Sequence, residues 1–156
     1  MHKFLLLLSL VSFSAQAADT AYKTYVNGRY GFVIEYPVYL LPQGEAANGD
    51  GQVFVSRTED AELRVYARSC IEGRDTTPAE FLAKADKEQK KDGKEITYRA
   101  KGKSFVLVSG TQGQKIFYEK VITDGNWCSM FQWTYASVNR AQYDEATKLI
   151  ASSFKP

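Results

Sequence analysis

The sequence predicts an α+β domain, an antiparallel β-sheet meander flanked by helices. Three observations carry this. Between Glu95 and Ala136, strand-like runs are separated by short turns rich in Gly, Asn and Asp, the kind that join antiparallel neighbours. Thr77-Pro78-Ala79-Glu80 reads as an N-cap, a proline at the first helical position and a capping-box glutamate. Near the C-terminus, Tyr143, Ala146, Leu149, Ile150 and Phe154 recur at helical spacing and make a core-facing stripe.

The chain opens with a basic Met1-His2-Lys3, an apolar run from Phe4 to Phe13, and Ser14-Ala15-Gln16-Ala17, in which Ala15 and Ala17 form an A-x-A cleavage site. Residues 1–17 are therefore expected to be a signal peptide, and residues 18–156 a single exported domain. Tyr22–Val26 and Tyr30–Tyr36 flank Asn27-Gly28, which predicts a two-residue hairpin turn with positive φ at both positions. Pro37 ends that pairing by removing a backbone donor. Leu41 to Gly51 reads as a loop, and Val53–Ser56 as the next strand. Glu62 to Arg68 alternates cleanly: Leu63, Val65 and Ala67 face one way, Arg64, Tyr66 and Arg68 the other.

The first helix runs from its Thr77 cap, carries Phe81, Leu82 and Ala85, and stops at Asp92-Gly93. Strands follow at Glu95–Ala100, Phe105–Ser109, Lys115–Ile122 and Trp127–Ala136. Phe105–Val108 is apolar on both faces, which predicts a central, doubly covered strand. The last helix is expected to start at an Asn139 cap, with Gln142 in the capping-box position and Val138 stapled to Tyr143.

Composition removes several function classes. Cleavage takes 17 of the 156 residues, leaving 139, with 19 basic residues facing 18 acidic ones. That balance argues against a nucleic-acid partner, which calls for a basic stripe. The lysines between Lys84 and Lys94 are interleaved with Asp86, Glu88 and Asp92, as on a solvated helix face. No segment after the leader has the roughly 20 apolar residues a membrane span needs, so no membrane insertion is expected.

The only histidine, His2, leaves with the leader, and with it go histidine-based hydrolysis and histidine-ligated metal sites. Phosphate-binding glycine motifs are absent. Ser152-Ser153-Phe154-Lys155 fits S-x-x-K, but its companion motifs are missing. Asn48-Gly49-Asp50-Gly51 is better read as a tight turn than as a calcium loop. No catalytic residue, metal site or cofactor is expected.

Cys70 and Cys128, the only cysteines, lie 58 residues apart. In an oxidising compartment they are expected to pair, closing a loop worth roughly 4 kcal/mol by chain entropy. Aromatic residues are the remaining positive signal. Trp127, Phe131, Trp133 and Tyr135 share one strand face, either as core or as an exposed binding strip. Arg64, Tyr66 and Arg68 combine the residue types typical of binding anchors and are the candidate binding residues.

Several motifs in order resemble bacterial exported domains of the PsbP-like fold, including the DcrB-like envelope proteins. They are Asn27-Gly28-Arg29-Tyr30-Gly31-Phe32, Glu35-Tyr36-Pro37, Asn48-Gly49-Asp50-Gly51, Phe105 to Gly110, Phe117-Tyr118-Glu119-Lys120, Tyr143-Asp144 and Ser153-Phe154. The resemblance implies an α/β/α sandwich built on an antiparallel sheet, and proteins that bind other proteins without a shared catalytic motif. The cysteine pair has no counterpart in it. The expectation is a non-enzymatic periplasmic or secreted module that binds a protein partner, for instance as an immunity protein, inhibitor or envelope accessory subunit. The alternative is a small-molecule or lipid binder with an aromatic-lined cavity. Mass spectrometry of the exported protein, without reductant, is expected to find both thiols blocked; free thiols at Cys70 and Cys128 would remove the staple.

Overall fold

The computed structural model describes residues 21–89 and 91–156. The expected leader lies outside the described residues. Nine strands and two helices follow in the order β1 (Tyr22–Val26), β2 (Val33–Pro37), β3 (Leu40–Glu45), β4 (Gly51–Ser56), β5 (Ala61–Ser69), α1 (Pro78–Glu88), β6 (Lys94–Lys101), β7 (Phe105–Gln112), β8 (Lys115–Thr123), β9 (Trp127–Ala136) and α2 (Arg140–Ser153).

Seven strands form one antiparallel sheet in the order β3-β4-β5-β9-β8-β7-β6, and β1 and β2 pair separately. The sheet is thus two meanders, β3–β5 and β6–β9, joined where β5 pairs with β9. One face carries β2 and α2. There Phe32, Ile34, Phe54, Leu63, Val65, Phe131, Trp133, Tyr135, Tyr143, Ile150 and Phe154 form a buried core. The other face is covered in part by α1, through Phe81 against Val106, Val108, Phe117, Val121 and Met130. The alternation in β5 and β9 is what sorts these side chains between two layers.

The helix caps show which local signals survive tertiary competition. At α1 the box forms as expected: the Thr77 side chain accepts from the Glu80 N–H, and the Glu80 carboxylate accepts from the Thr77 N–H. At α2 it does not. Asn139 ends a 3-10 turn over Ser137–Asn139, makes no cap bond, and donates its side-chain amide to Asp60 instead. Val138 is 85% exposed and staples nothing. An ionised carboxylate is a stronger acceptor than an amide is a cap, so Asp60 takes Asn139.

Three further expectations are corrected. The stretch after Leu40 is not all loop: β3 pairs with β4 from Leu40↔Ser56 to Pro42↔Phe54. Pro42 is tolerated because β3 is an edge strand, and Gly44, at φ 94°, absorbs the bulge. The central strand is β9, not β7. Val106 and Val108 are buried under α1, but only edge strand β6 lies beyond β7. Apolarity on both faces recorded coverage rather than rank in the sheet. The Asn27-Gly28 turn is also different; among residues 27–32 only Gly31 has positive φ, at 77°.

Two polar clusters fasten α2 to the sheet. Near its start, Asp60 Oδ1 accepts from the hydroxyls of Ser56 (2.7 Å), Thr58 (2.5 Å) and Tyr143 (2.7 Å), while Oδ2 accepts from Asn139. Near its end, Lys120 Nζ donates to the Ala151 carbonyl at 2.7 Å and lies over the rings of Phe105 and Phe154. A cation suits the carbonyl end of a helix. Burial lowers the Lys120 pKa.

Burial opposes ionisation of Asp60, but the four donors outweigh it and hold its carboxyl well below the usual range of about 3.8. Its folded pKa lies below its unfolded value, so its stabilisation is complete above about pH 5 and is lost as the pH falls toward the folded value. Asp60→Asn is expected to cost about 2 kcal/mol at pH 7 in urea unfolding. The gap from wild type should narrow below pH 4. A gap that stays constant from pH 7 to pH 2.5 would show that the charge is not what the cluster uses.

Candidate functional site

One end of the sheet gathers the loops between β1 and β2, β5 and α1, β6 and β7, and β8 and β9. The first of these is organised by Asn27, which is 1% exposed. Its Nδ2 donates to the Gly49 carbonyl (3.0 Å) and the Tyr25 hydroxyl (3.1 Å). Its Oδ1 accepts from the backbone N–H groups of Tyr30 (2.7 Å) and Arg29 (3.2 Å). Asn27 N–H donates to Phe32 O and Gly31 N–H donates to Asn27 O, both at 3.0 Å, so the six-residue loop is closed by its own backbone. Burial, together with Glu45, which accepts the Tyr25 proton at 2.6 Å, pushes that phenol up to about 12 against the opposing Asn27 bond.

This loop presents Arg29 and Tyr30 outward. The Arg29 guanidinium lies 5.0 Å from the Tyr30 ring centre, and its Nη1 donates to the Asn48 carbonyl. The Tyr30 ring meets Trp127 at 5.3 Å and 58°. Trp127, the first residue of β9, stays 48% exposed. Its turn is rigid: Asp124 Oδ1 accepts from the N–H groups of Trp127 (2.7 Å) and Asn126 (2.8 Å), in that order the causes that lower its pKa.

The result is a half-open cleft of about 690 Å³ whose lining includes Arg29, Tyr30, Ser104, Ile122, Asp124, Trp127, Ser129 and Pro156. Trp127 also lines a second, shallower concavity with Cys70, Glu72 and Asn126. It is therefore a ridge between two hollows.

The β5–α1 loop next to it is held covalently. Cys70 and Cys128 are joined as a disulfide with Cα atoms 5.2 Å apart. Beside them Asp75, with a fully buried side chain, pairs with Arg68 and accepts from the Ile71 N–H at 2.7 Å. Burial disfavours the Asp75 anion, but Arg68 and the Ile71 N–H more than compensate and lower its pKa. Cys70, Asp75 and Cys128 bring ligand-type atoms within 4.8 Å of one another, but the two sulfurs are already bonded to each other.

The residues singled out in β5 fall elsewhere. Arg64, Tyr66 and Arg68 share the α1-side face, as their alternation requires. Arg64 is exposed and paired with Glu62; Tyr66 is half-buried at a depression between β5 and α1; Arg68 is committed to Asp75. Of the β9 aromatics, Phe131, Trp133 and Tyr135 are core, and Trp127 alone reaches solvent. Ser153 accepts from the Glu35 N–H and donates to the Ile150 carbonyl, a structural role. The sequence signal that would have found the cleft was Asn27: a buried loop amide followed by Arg-Tyr.

A seven-stranded antiparallel sheet with α2 and a hairpin on one face and α1 on the other is the PsbP-like fold. The structure is similar to cyanobacterial PsbP (CyanoP) from Synechocystis sp. PCC 6803, with a TM-score of 0.61 at 14% identity over 94% of this chain and 98% of that one. LpqN, involved in cell envelope biogenesis of Mycobacterium tuberculosis, gives 0.56 at 14% identity, covering 89% and 93%. A protein from Bacteroides thetaiotaomicron gives 0.56 at 11% identity, covering 85% of this chain and 47% of that one. At these identities the likeness is one of fold. No protein-family model and no curated protein matches the sequence.

Asn27→Ala is expected to destabilise the protein by about 2 kcal/mol, because it leaves buried donors and acceptors unpaired. Acrylamide quenching of tryptophan should rise as Tyr30 leaves one face of Trp127. Unchanged quenching would mean that Asn27 does not hold the cleft wall.

Proposed function

We propose that the chain is an exported, non-enzymatic accessory module of the bacterial envelope that binds a partner protein at the end cleft. The observation that carries this reading is Trp127, half-exposed, braced by Tyr30 and standing between two hollows. Trp and Tyr anchors flanked by concave surface are what binding hot spots are made of. A rigid aromatic at a loop-lined sheet end also loses little conformational freedom on association. Export to the periplasm or outside is supported by the leader-like first 17 residues and by the disulfide. The envelope role of one fold neighbour points the same way. Among the described residues, no helix is long and apolar enough to cross a membrane.

The Arg64, Tyr66 and Arg68 face is the secondary surface. Its arginines are engaged by Glu62 and Asp75, which leaves Tyr66 as its main free contact. A small-molecule reading has one observation in its favour: the cleft's volume is within the roughly 300–1,000 Å³ of ligand pockets and its wall is mainly apolar.

Placing a photo-crosslinking amino acid at position 127, and separately at position 64, in the native envelope tests the assignment. A single stoichiometric adduct from position 127 is expected. An adduct only from position 64 would move the site to the β5 face. Absence of adducts from both, with a ligand retained in native mass spectrometry, would replace protein binding by small-molecule binding.

A further inference from the structure

The charges around the cleft differ from those on the rest of the surface. Six ion pairs are present among the described residues: Arg64–Glu62, Arg68–Asp75, Lys84–Glu88, Lys94–Glu119, Arg99–Asp86 and Arg140–Asp144. None lies at the cleft. Arg29 lines it, and Lys103 and Lys155 directly precede the lining residues Ser104 and Pro156. All three are exposed, and none makes an ion pair among the described residues. The one acid lining it, Asp124, already accepts two backbone N–H groups. Beyond Trp127 the sign changes, because Glu72 stands on the second hollow. Three exposed cations on or next to an apolar wall, against a single lining acid already bound by two backbone N–H groups, are electrostatically complementary to an acidic partner.

Resting on the binding reading above, we propose that the cleft docks an acidic polypeptide segment of a partner protein, an apolar side chain seated against Tyr30 and Trp127 and its carboxylates facing Arg29, Lys103 and Lys155. The cleft is half-open and shares Trp127 with the second hollow, which suits an extended segment better than an enclosed ligand. Arg29 is the pivotal cation. Its Asn48 bond and its stacking on Tyr30 fix the guanidinium at the edge of the apolar wall, with donors left over for a carboxylate. The change of sign at Glu72 gives the segment a direction, with its acidic part on the Arg29 side.

The test is selection of random twelve-residue displayed peptides on the full chain expressed with its leader and purified from the exported fraction. Trp127→Ala and the triple variant Arg29→Glu, Lys103→Glu, Lys155→Glu are selected in parallel. All four positions are exposed or half-exposed, and circular dichroism checks each variant's fold. The expected result is a set of peptides with Asp or Glu beside an aromatic or aliphatic residue. Their capture should fall about thirtyfold with Trp127→Ala, the loss of a hot-spot anchor. The triple variant should turn the selected flanking charge from acidic to basic, and a synthetic peptide of the consensus should bind about tenfold more weakly at 300 mM than at 50 mM NaCl. Trp127-dependent peptides without acidic residues would overturn this inference and leave the binding reading standing. Peptides that ignore Trp127, or none at all, would overturn both. Trp127-dependent sedimentation with phosphatidylglycerol vesicles, without peptide enrichment, would overturn the peptide in favour of a lipid surface.

Discussion

A fully buried asparagine side chain carries two N–H donors and an oxygen with two lone pairs, and at Asn27 all four valences are used. Two of the bonds fold the β1–β2 loop around the side chain. The other two fasten that loop to Tyr25 in its own hairpin and to Gly49 in the β3–β4 loop. Because an unpaired amide in the interior is costly, the loop has no cheap alternative geometry. Tyr30 is therefore delivered to Trp127, and Arg29 to the Asn48 carbonyl, as consequences of one buried group.

The two ends of the sheet divide the work. At one end, Asp60 draws the start of α2 onto the β4–β5 turn through Ser56, Thr58, Tyr143 and Asn139. That end is closed and polar, and its bonds are spent on holding layers together. At the other end the long β5–α1 loop is restrained by the disulfide, by the Arg68–Asp75 pair and by Cys70 N–H donating to the Asn126 carbonyl. These restraints act beneath Trp127 without covering it. β9 connects the two ends, since its Trp133 and Tyr135 lie in the α2 core while its first residue is the ridge of the cleft.

The fold was legible because its signals are periodic. The alternation in β5 and β9, the meander turns and the α2 stripe each sort side chains by geometry alone, and the structure keeps that sorting. What local signals could not convey was competition. Asn139 has the composition of a cap, but Asp60, 79 residues away, offers it a stronger acceptor. Asn27-Gly28 has the composition of a two-residue turn, but the Gly49 carbonyl and a six-residue loop claim the same side chain. The site was less legible than the fold for the same reason. Arg64, Tyr66 and Arg68 have binding-site composition, but a buried Asp75 downstream recruits Arg68 into the scaffold.

An indole left half in water needs a physical account, since its apolar area would be better buried by roughly 25 cal/mol for each Å² removed. Phe131 and Trp133, on the same strand face, are fully buried, so the strand places no limit on covering the first position as well. What accompanies the exposure of Trp127 is the shape of its surroundings: Tyr30 packs against the ring, the Asp124 turn fixes its backbone, and the cleft with Ile122 and Ser129 lies open beside it. The ring is thus ordered before any partner arrives, and little rotamer entropy remains to be lost when its free face is covered. Stability is given up at one residue that the scaffold fixes in place, and the area left unburied there is the area a partner gains by covering.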